Sequence, residues 1–201
     1  MTRRSQAADE TRLRVVDAAR RLFAQRGFHG VSLEEVARTA GVGRKTIYNQ
    51  FGSKVGLFDA LVSAVSESVG ISEFVAAALA EREASAALRR FIDGCCEVWA
   101  AEHDVIEALI AHSHGDAEAR TVVDRANRAR REDLGRLVEL CGLINGSPPP
   151  AGIEATADLL SVLTSFESFD HLRRMGHTNA EASQLLSLAA WRLFETGENP
   201  C

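Results

Sequence analysis

Six residues between positions 44 and 54 have side chains suited to chemistry on a polyanion. Arg44 and Lys45 carry donors that reach guanine O6 and N7, and Asn49 carries the donor–acceptor pair that matches adenine. Thr46 offers a methyl group to thymine. The hydroxyl of Tyr48, the one tyrosine in the chain, suits a phosphate oxygen. Lys54 follows Gly52-Ser53 at a helix start, where an ammonium and free backbone N–H groups converge on one phosphate.

These side chains act together only if one helix aims them outward. At about 100° per residue, Lys45 and Asn49 lie nearly opposite Ile47. Arg44 and Tyr48 then fall on one flank, and Thr46 and Gln50 on the other. Residues 33–51 fit a helix-turn-helix that would hold this helix. Ser32-Leu33-Glu34-Glu35 is a capping box that starts the first of its two helices. Ala37 is small enough for a close helix crossing, and Gly41 suits a turn with positive φ. Val42, Ile47 and Phe51 anchor the second helix, which can then enter a major groove.

The rest of the chain also reads as helix, with no strand-like alternation. Helices are expected at about 9–26, 32–40, 44–51 and 54–68. Residues 72–80 form a short helix or a continuation, followed by 84–101. A further helix is capped by Asp104, then come 116–141, 154–175 and 179–196. A loop containing Pro148-Pro149-Pro150 spans 142–152. Arg3 and Arg4 read as an arm toward phosphate or the minor groove, or as a solvated tail.

The net charge of −5 is unevenly spread. Residues 1–60 hold 11 Lys/Arg and 6 Asp/Glu, while residues 61–201 hold 12 and 22. A basic head on an acidic body is the pattern of a modular nucleic-acid binder. The longest uncharged run, Leu140 to Ile153, contains the triple proline and cannot span a bilayer as a helix. No apolar leader follows Met1, so a cytoplasmic protein without membrane attachment is expected. Cys95, Cys96, Cys141 and Cys201 form no CxxC, and they read as reduced, small hydrophobes rather than a redox switch.

The stretch Ala40-Gly-Val-Gly-Arg-Lys-Thr-Ile-Tyr-Asn-Gln-Phe-Gly-Ser-Lys54, followed by Gly56-Leu-Phe-Asp-Ala-Leu61, resembles the TetR family of bacterial transcriptional regulators. The run Ala18-Ala19-Arg-Arg-Leu-Phe-Ala-Gln-Arg-Gly-Phe28 matches it too. The resemblance covers roughly residues 9–65. It implies that Ser32, Arg44, Lys45, Thr46, Tyr48 and Lys54 contact DNA. Asn49-Gln50 stands where many members carry an aromatic and a histidine, and Gly43 where many carry serine, so no base preference is transferred.

The resemblance further implies an all-α fold of about nine helices and a homodimer on a double-stranded operator. A three-helix DNA-binding domain, residues 1–52, would precede a helical ligand-binding and dimerisation domain, residues 53–201. Effector occupancy would alter DNA affinity, most often to relieve repression. The apolar arcs at the end of the chain support dimerisation independently. They are wider than one buried face requires, and Leu159, Leu163, Phe166, Leu185, Leu188 and Trp191 are candidate interface residues. Candidate linings of an effector pocket are Phe91, Cys95, Trp99, Leu109, Phe166 and Phe169. Their spacing fits core packing equally well, and an apolar pocket would take a lipophilic effector.

His112 and His114 stand at i, i+2 and do not share a helix face. They read as helix-end polar residues, and no metal or cofactor is expected. The chain has no GxGxxG, P-loop, HExxH or GxSxG signature, so no enzyme is expected. Two other classes remain open: a DNA-tethered interaction protein without an effector, and an enzyme with a helix-turn-helix appendage.

Overall fold

A computed structural model describes residues 3–68 and 70–195. Among these, eleven α-helices and no strand are present. They are α1 (Arg3–Arg26), α2 (Leu33–Ala40), α3 (Arg44–Phe51), α4 (Lys54–Ser68), α5 (Ile71–Leu79) and α6 (Ala84–Ala101). There follow α7 (His103–Ser113), α8 (Ala117–Asn145), α9 (Ile153–Leu163), α10 (Phe166–Arg174) and α11 (Asn179–Trp191). No single helix among the described residues is long and apolar enough to cross a membrane.

The chain divides into two compact units. The first holds the described residues within Met1–Ser68 and Glu102–Ala126; the second holds those within Val69–Ala101 and Asn127–Cys201. In the first unit, α1 packs against α2, α4 and α7. Its core buries Phe23, Ile47, Leu57, Phe58 and Leu61 completely. Arg20 forms an ion pair with the buried carboxylate of Glu102, joining α1 to the start of α7. Arg125 of α8 pairs with Asp59 of α4.

In the second unit, α5, α10 and α11 pack on α6, and α9 packs on α10 and α11. Leu88, Phe91, Ile92, Leu134, Leu137, Leu160 and Phe169 are buried in its core. Arg131 of α8 clamps Glu154 and Asp158 of α9 at 2.7 and 2.5 Å. Cys95, Cys96 and Cys141 are free and buried. Removal from water pushes their thiols up to about 12, 11 and 11 respectively.

Several expected boundaries move, each for a local reason. The first helix begins at Arg3 rather than near Asp9, because no breaker precedes Ala7-Ala8. Arg3 and Arg4 therefore have helical backbone. Asp104 is not the cap of α7; Glu102 occupies that position, and its carboxylate turns to Arg20 instead of capping. Asp104 sits in the first turn, where its charge suits the helix dipole.

Asp116 caps α8 by accepting from the N–H groups of Glu118 and Ala119, both at 2.9 Å. That helix continues past Gly142 to Asn145. The expected single helix over 154–175 is two helices, broken at Thr164–Ser165. The hydroxyl of Ser165 accepts from the Ser168 N–H and so starts α10 afresh. This break, and α5 standing as a helix of its own, raise the count to eleven from about nine. The last helix ends at Trp191, with residues 192–195 in turns and a bend, short of the expected end near Thr196, which itself lies outside the described residues.

Candidate nucleic-acid interface

The interface grows from the two ends of α2. At its start the Ser32 hydroxyl accepts from the Glu35 N–H, while the Glu35 carboxylate accepts from the Ser32 N–H. Glu35 also pairs with Arg26 at 2.8 Å, and these donors hold its carboxyl down at about 2. Arg26 donates to the Gly30 carbonyl as well, which ties the end of α1 to the start of α2. At the other end Gly41 adopts φ 67°, a conformation that side-chain-bearing residues rarely take, and Val42 N–H returns to the Ala37 carbonyl at 2.9 Å.

The turn delivers α3 with Ile47 and Phe51 buried. Arg44, Lys45, Tyr48 and Asn49 are all exposed, as the helical spacing predicts, and Thr46 is half-buried. Gln50, on the same flank as Thr46, is not free for a partner. Its Nε2 donates to the Ala8 carbonyl of α1 at 3.3 Å.

Two positioning contacts escape sequence reasoning. Glu34 Oε1 lies 2.9 Å from Arg44 Nε, so the first turn of α2 holds the first side chain of α3. Arg44 also donates from Nη2 to Tyr48 Oη at 3.3 Å and lies 5.3 Å over that ring. The only signal in the sequence is that the crossing brings the two first turns together.

Lys54 shows the second. Its Nζ donates to the Phe28 carbonyl at 2.5 Å and sits 4.2 Å from the Phe28 ring centroid. Partial burial lowers its pKa. One of three ammonium hydrogens is therefore engaged within the protein. Ser53 starts α4 by accepting from the Gly56 N–H at 3.0 Å. Gly56 is required there, since a Cβ would stand 1.9 Å from the Phe51 carbonyl oxygen.

Behind Phe28 lies a histidine pair. His112 is buried rather than a polar helix end, and its ring stacks on Phe28 with centroids 3.7 Å apart. Its Nδ1 is 3.0 Å from His29 Nε2, and its Nε2 is 3.7 Å from Asp116. Burial lowers the His112 pKa and His29 adds to this, while Asp116 pulls the other way and Lys54 adds the smallest downward effect. Among the described residues no group of three His, Cys, Asp or Glu side chains could hold a metal ion.

The second unit places the pocket candidates differently from one another. Phe91, Cys95, Phe166 and Phe169 are buried, and Trp99 is half-buried with its ring edge-on to Phe166. Leu109 belongs to the first unit. A groove of about 620 Å³ on α5 and α6 has a largely charged wall, including Glu81, Arg89, Arg90, Asp93 and Glu97. Of the interface candidates, Leu159, Leu185 and Leu188 are exposed, together with Val162. Leu163 and Trp191 are half-buried, and Phe166 is buried within the protomer.

Comparison with known proteins places this geometry. Residues 15–61 match the family model described as bacterial regulatory proteins, tetR family. The HTH-type transcriptional regulator AlkX of Mycobacterium tuberculosis is 30% identical over 183 residues, spanning 76% of this chain and 82% of AlkX. A bacterial regulatory protein in the tetR family from Rhodococcus RHA1 superposes with a TM-score of 0.70 at 18% identity, covering 94% of this chain and 98% of its own. FadR from Bacillus subtilis, solved in complex with stearoyl-CoA, superposes with a TM-score of 0.70 at 16% identity, covering 93% and 99%.

Proposed function

This chain belongs to the TetR family of bacterial regulatory proteins and is a helix-turn-helix transcriptional regulator, and on that premise we propose that it is a homodimeric, ligand-responsive repressor of a palindromic operator. The observation that carries the reading is the outward face of α3, where Arg44, Lys45, Tyr48 and Asn49 stand exposed over a buried Ile47 and Phe51. Arg44, Lys45, Thr46 and Asn49 read base edges in the major groove. Ser32, Tyr48 and Lys54 hold phosphates and set the register.

Dimerisation is supported by four exposed apolar side chains on two neighbouring helices. Leu159 and Val162 on α9, with Leu185 and Leu188 on α11, are exposed in the protomer. Pairing these helices with a symmetry mate buries them in a four-helix interface. A lipophilic effector is supported by the FadR neighbour, which holds stearoyl-CoA in a similar fold. Effector binding shifts the two recognition helices from the spacing of about 34–36 Å that successive major grooves demand, and DNA is released. The protein acts in the cytoplasm, where its operator lies.

Selection of bound duplexes from a random pool, at a stated salt concentration, tests the reading. Recovery of a palindrome with half-site centres about 10–10.5 base pairs apart, or a multiple of that, is expected. A folded dimer that enriches no sequence would overturn it.

A further inference from the structure

Arg130 of α8 is a largely buried cation without an anion. Its Nη1 donates to the Ser161 carbonyl at 2.9 Å and to Thr164 Oγ1 at 2.6 Å. Its Nη2 donates to Asn127 Oδ1 at 3.4 Å. All three acceptors are neutral. Among the described residues no carboxylate comes within ion-pair distance of it. Glu167 acts on Arg130 only through space.

A guanidinium withdrawn from water is costly unless a counter-charge compensates it. Five N–H donors radiate from the group in a planar fork, and three are used here. Nε–H and one Nη2 hydrogen are not used by these bonds, and an Nε–Nη edge is the one on which a carboxylate docks in pairs. The position is built by the break between α9 and α10, which frees Ser161 and Thr164 to receive Arg130. The same break takes the indole N–H of Trp99 on the Thr164 carbonyl at 3.0 Å. Trp99 in turn meets Phe166 edge-on, with centroids 6.1 Å apart. Arg130 and Trp99 thus meet on the same residue, Thr164, and Arg130 is part-buried rather than sealed, with its partner Asn127 exposed.

We propose that Arg130, with Thr164, Trp99 and Phe166, forms the recognition site for an amphipathic organic carboxylate, whose anionic head lies on the guanidinium and whose apolar body lies on the aromatic rings. The inference rests on the ligand-responsive reading and deepens it: the effector is a lipophilic acid, not a neutral lipophile. An occupied site removes the cost of the unpaired charge, so binding stabilises the second unit.

The test compares matched acids and amides on the full chain. Octanoate and octanamide, and 1-naphthaleneacetate and 1-naphthaleneacetamide, are titrated by calorimetry and by thermal shift at pH 7.5. The acid of a pair is expected to bind about tenfold or more tighter than its amide. Arg130→Gln should bring the two within about twofold, and Arg130→Lys should restore part of the preference. Equal binding of acid and amide by the unaltered protein, or no binding of either acid, would overturn the proposal even if a variant failed to fold. Repeating the titration with the selected operator separates the two readings. Acids that bind without changing DNA affinity uphold the site and remove the ligand-responsive reading. Amides that release DNA as well as acids do the reverse.

Discussion

The ammonium of Lys54 sits 4.2 Å over the ring of Phe28 and donates to the carbonyl of the same residue. A side chain at the head of α4 is thereby fixed to the turn that follows α1. Lys54→Ala is expected to weaken binding to every duplex by a similar factor, and to lower the slope of affinity against salt by about one ion. It should also cost on the order of 1 kcal/mol of stability, through the lost hydrogen bond and ring contact. Anisotropy titrations at several salt concentrations, with denaturant melts alongside, check both effects. A change confined to one duplex sequence would contradict the phosphate role.

Arg44 should behave in the opposite manner. Arg44→Ala is expected to lose about tenfold or more in affinity for the selected operator and little for random duplex, with preference relaxed at one base pair in each half-site. Glu34→Gln keeps the reader but loosens its Nε anchor, so a smaller loss at the same base pair is expected. Binding to a panel of singly substituted operators measures both. Uniform weakening by Arg44→Ala would remove it from the base readers.

The buried His112 gives stability a pH dependence of definite sign. Its folded-state pKa lies below the ordinary histidine value, so the unfolded chain binds the proton more readily. Its contribution is intact above about pH 6.5 and is lost as pH falls below that value. His29, Lys54 and Asp116 are the charged or titratable groups that act on it. Glu35 and Asp116 have lowered pKa values and lose their stabilising effect only in more acidic solution. Melting temperatures between pH 8 and pH 5 should therefore fall for the native protein and stay flatter for His112→Phe.

Val162 and Leu188 are 64% and 57% exposed in the protomer, so charging them should leave its core intact. Val162→Asp and Leu188→Arg are each expected to give a monomer in sedimentation velocity, with near-native helix content. Such a monomer should bind a half-site weakly and lose cooperative binding to the palindrome. A dimer of unchanged strength would place the interface elsewhere.

Ser32, Glu35, Gly41, Ile47 and Phe51 were legible in the sequence because their signals are local. A capping box, a turn glycine and helical periodicity each lie within a few residues. The continuous helix expected over 154–175 failed for the same reason. Leu163, Phe166 and Phe169 keep an apolar period across a break that Ser165 makes with one hydroxyl. The burial of His112 depends on Phe28 and His29, more than 80 residues earlier. The neutral partners of Arg130, the Ser161 carbonyl and the Thr164 hydroxyl, lie more than 30 residues later, and only the folded chain brings them to it. Glu34 and Arg44 meet because two short helices cross, a distance that periodicity does not encode.

The three buried cysteines make the second unit its own clock. With their thiols pushed to about 12, 11 and 11, Cys95, Cys96 and Cys141 present almost no thiolate near neutral pH while the helices around them stay closed. Alkylation at each must wait for a local opening, so its rate counts how often that part of the unit comes apart. Cys95 on α6 and Cys141 on α8 are native reporters at separate points of one core, and a bound molecule that tightens that core slows both.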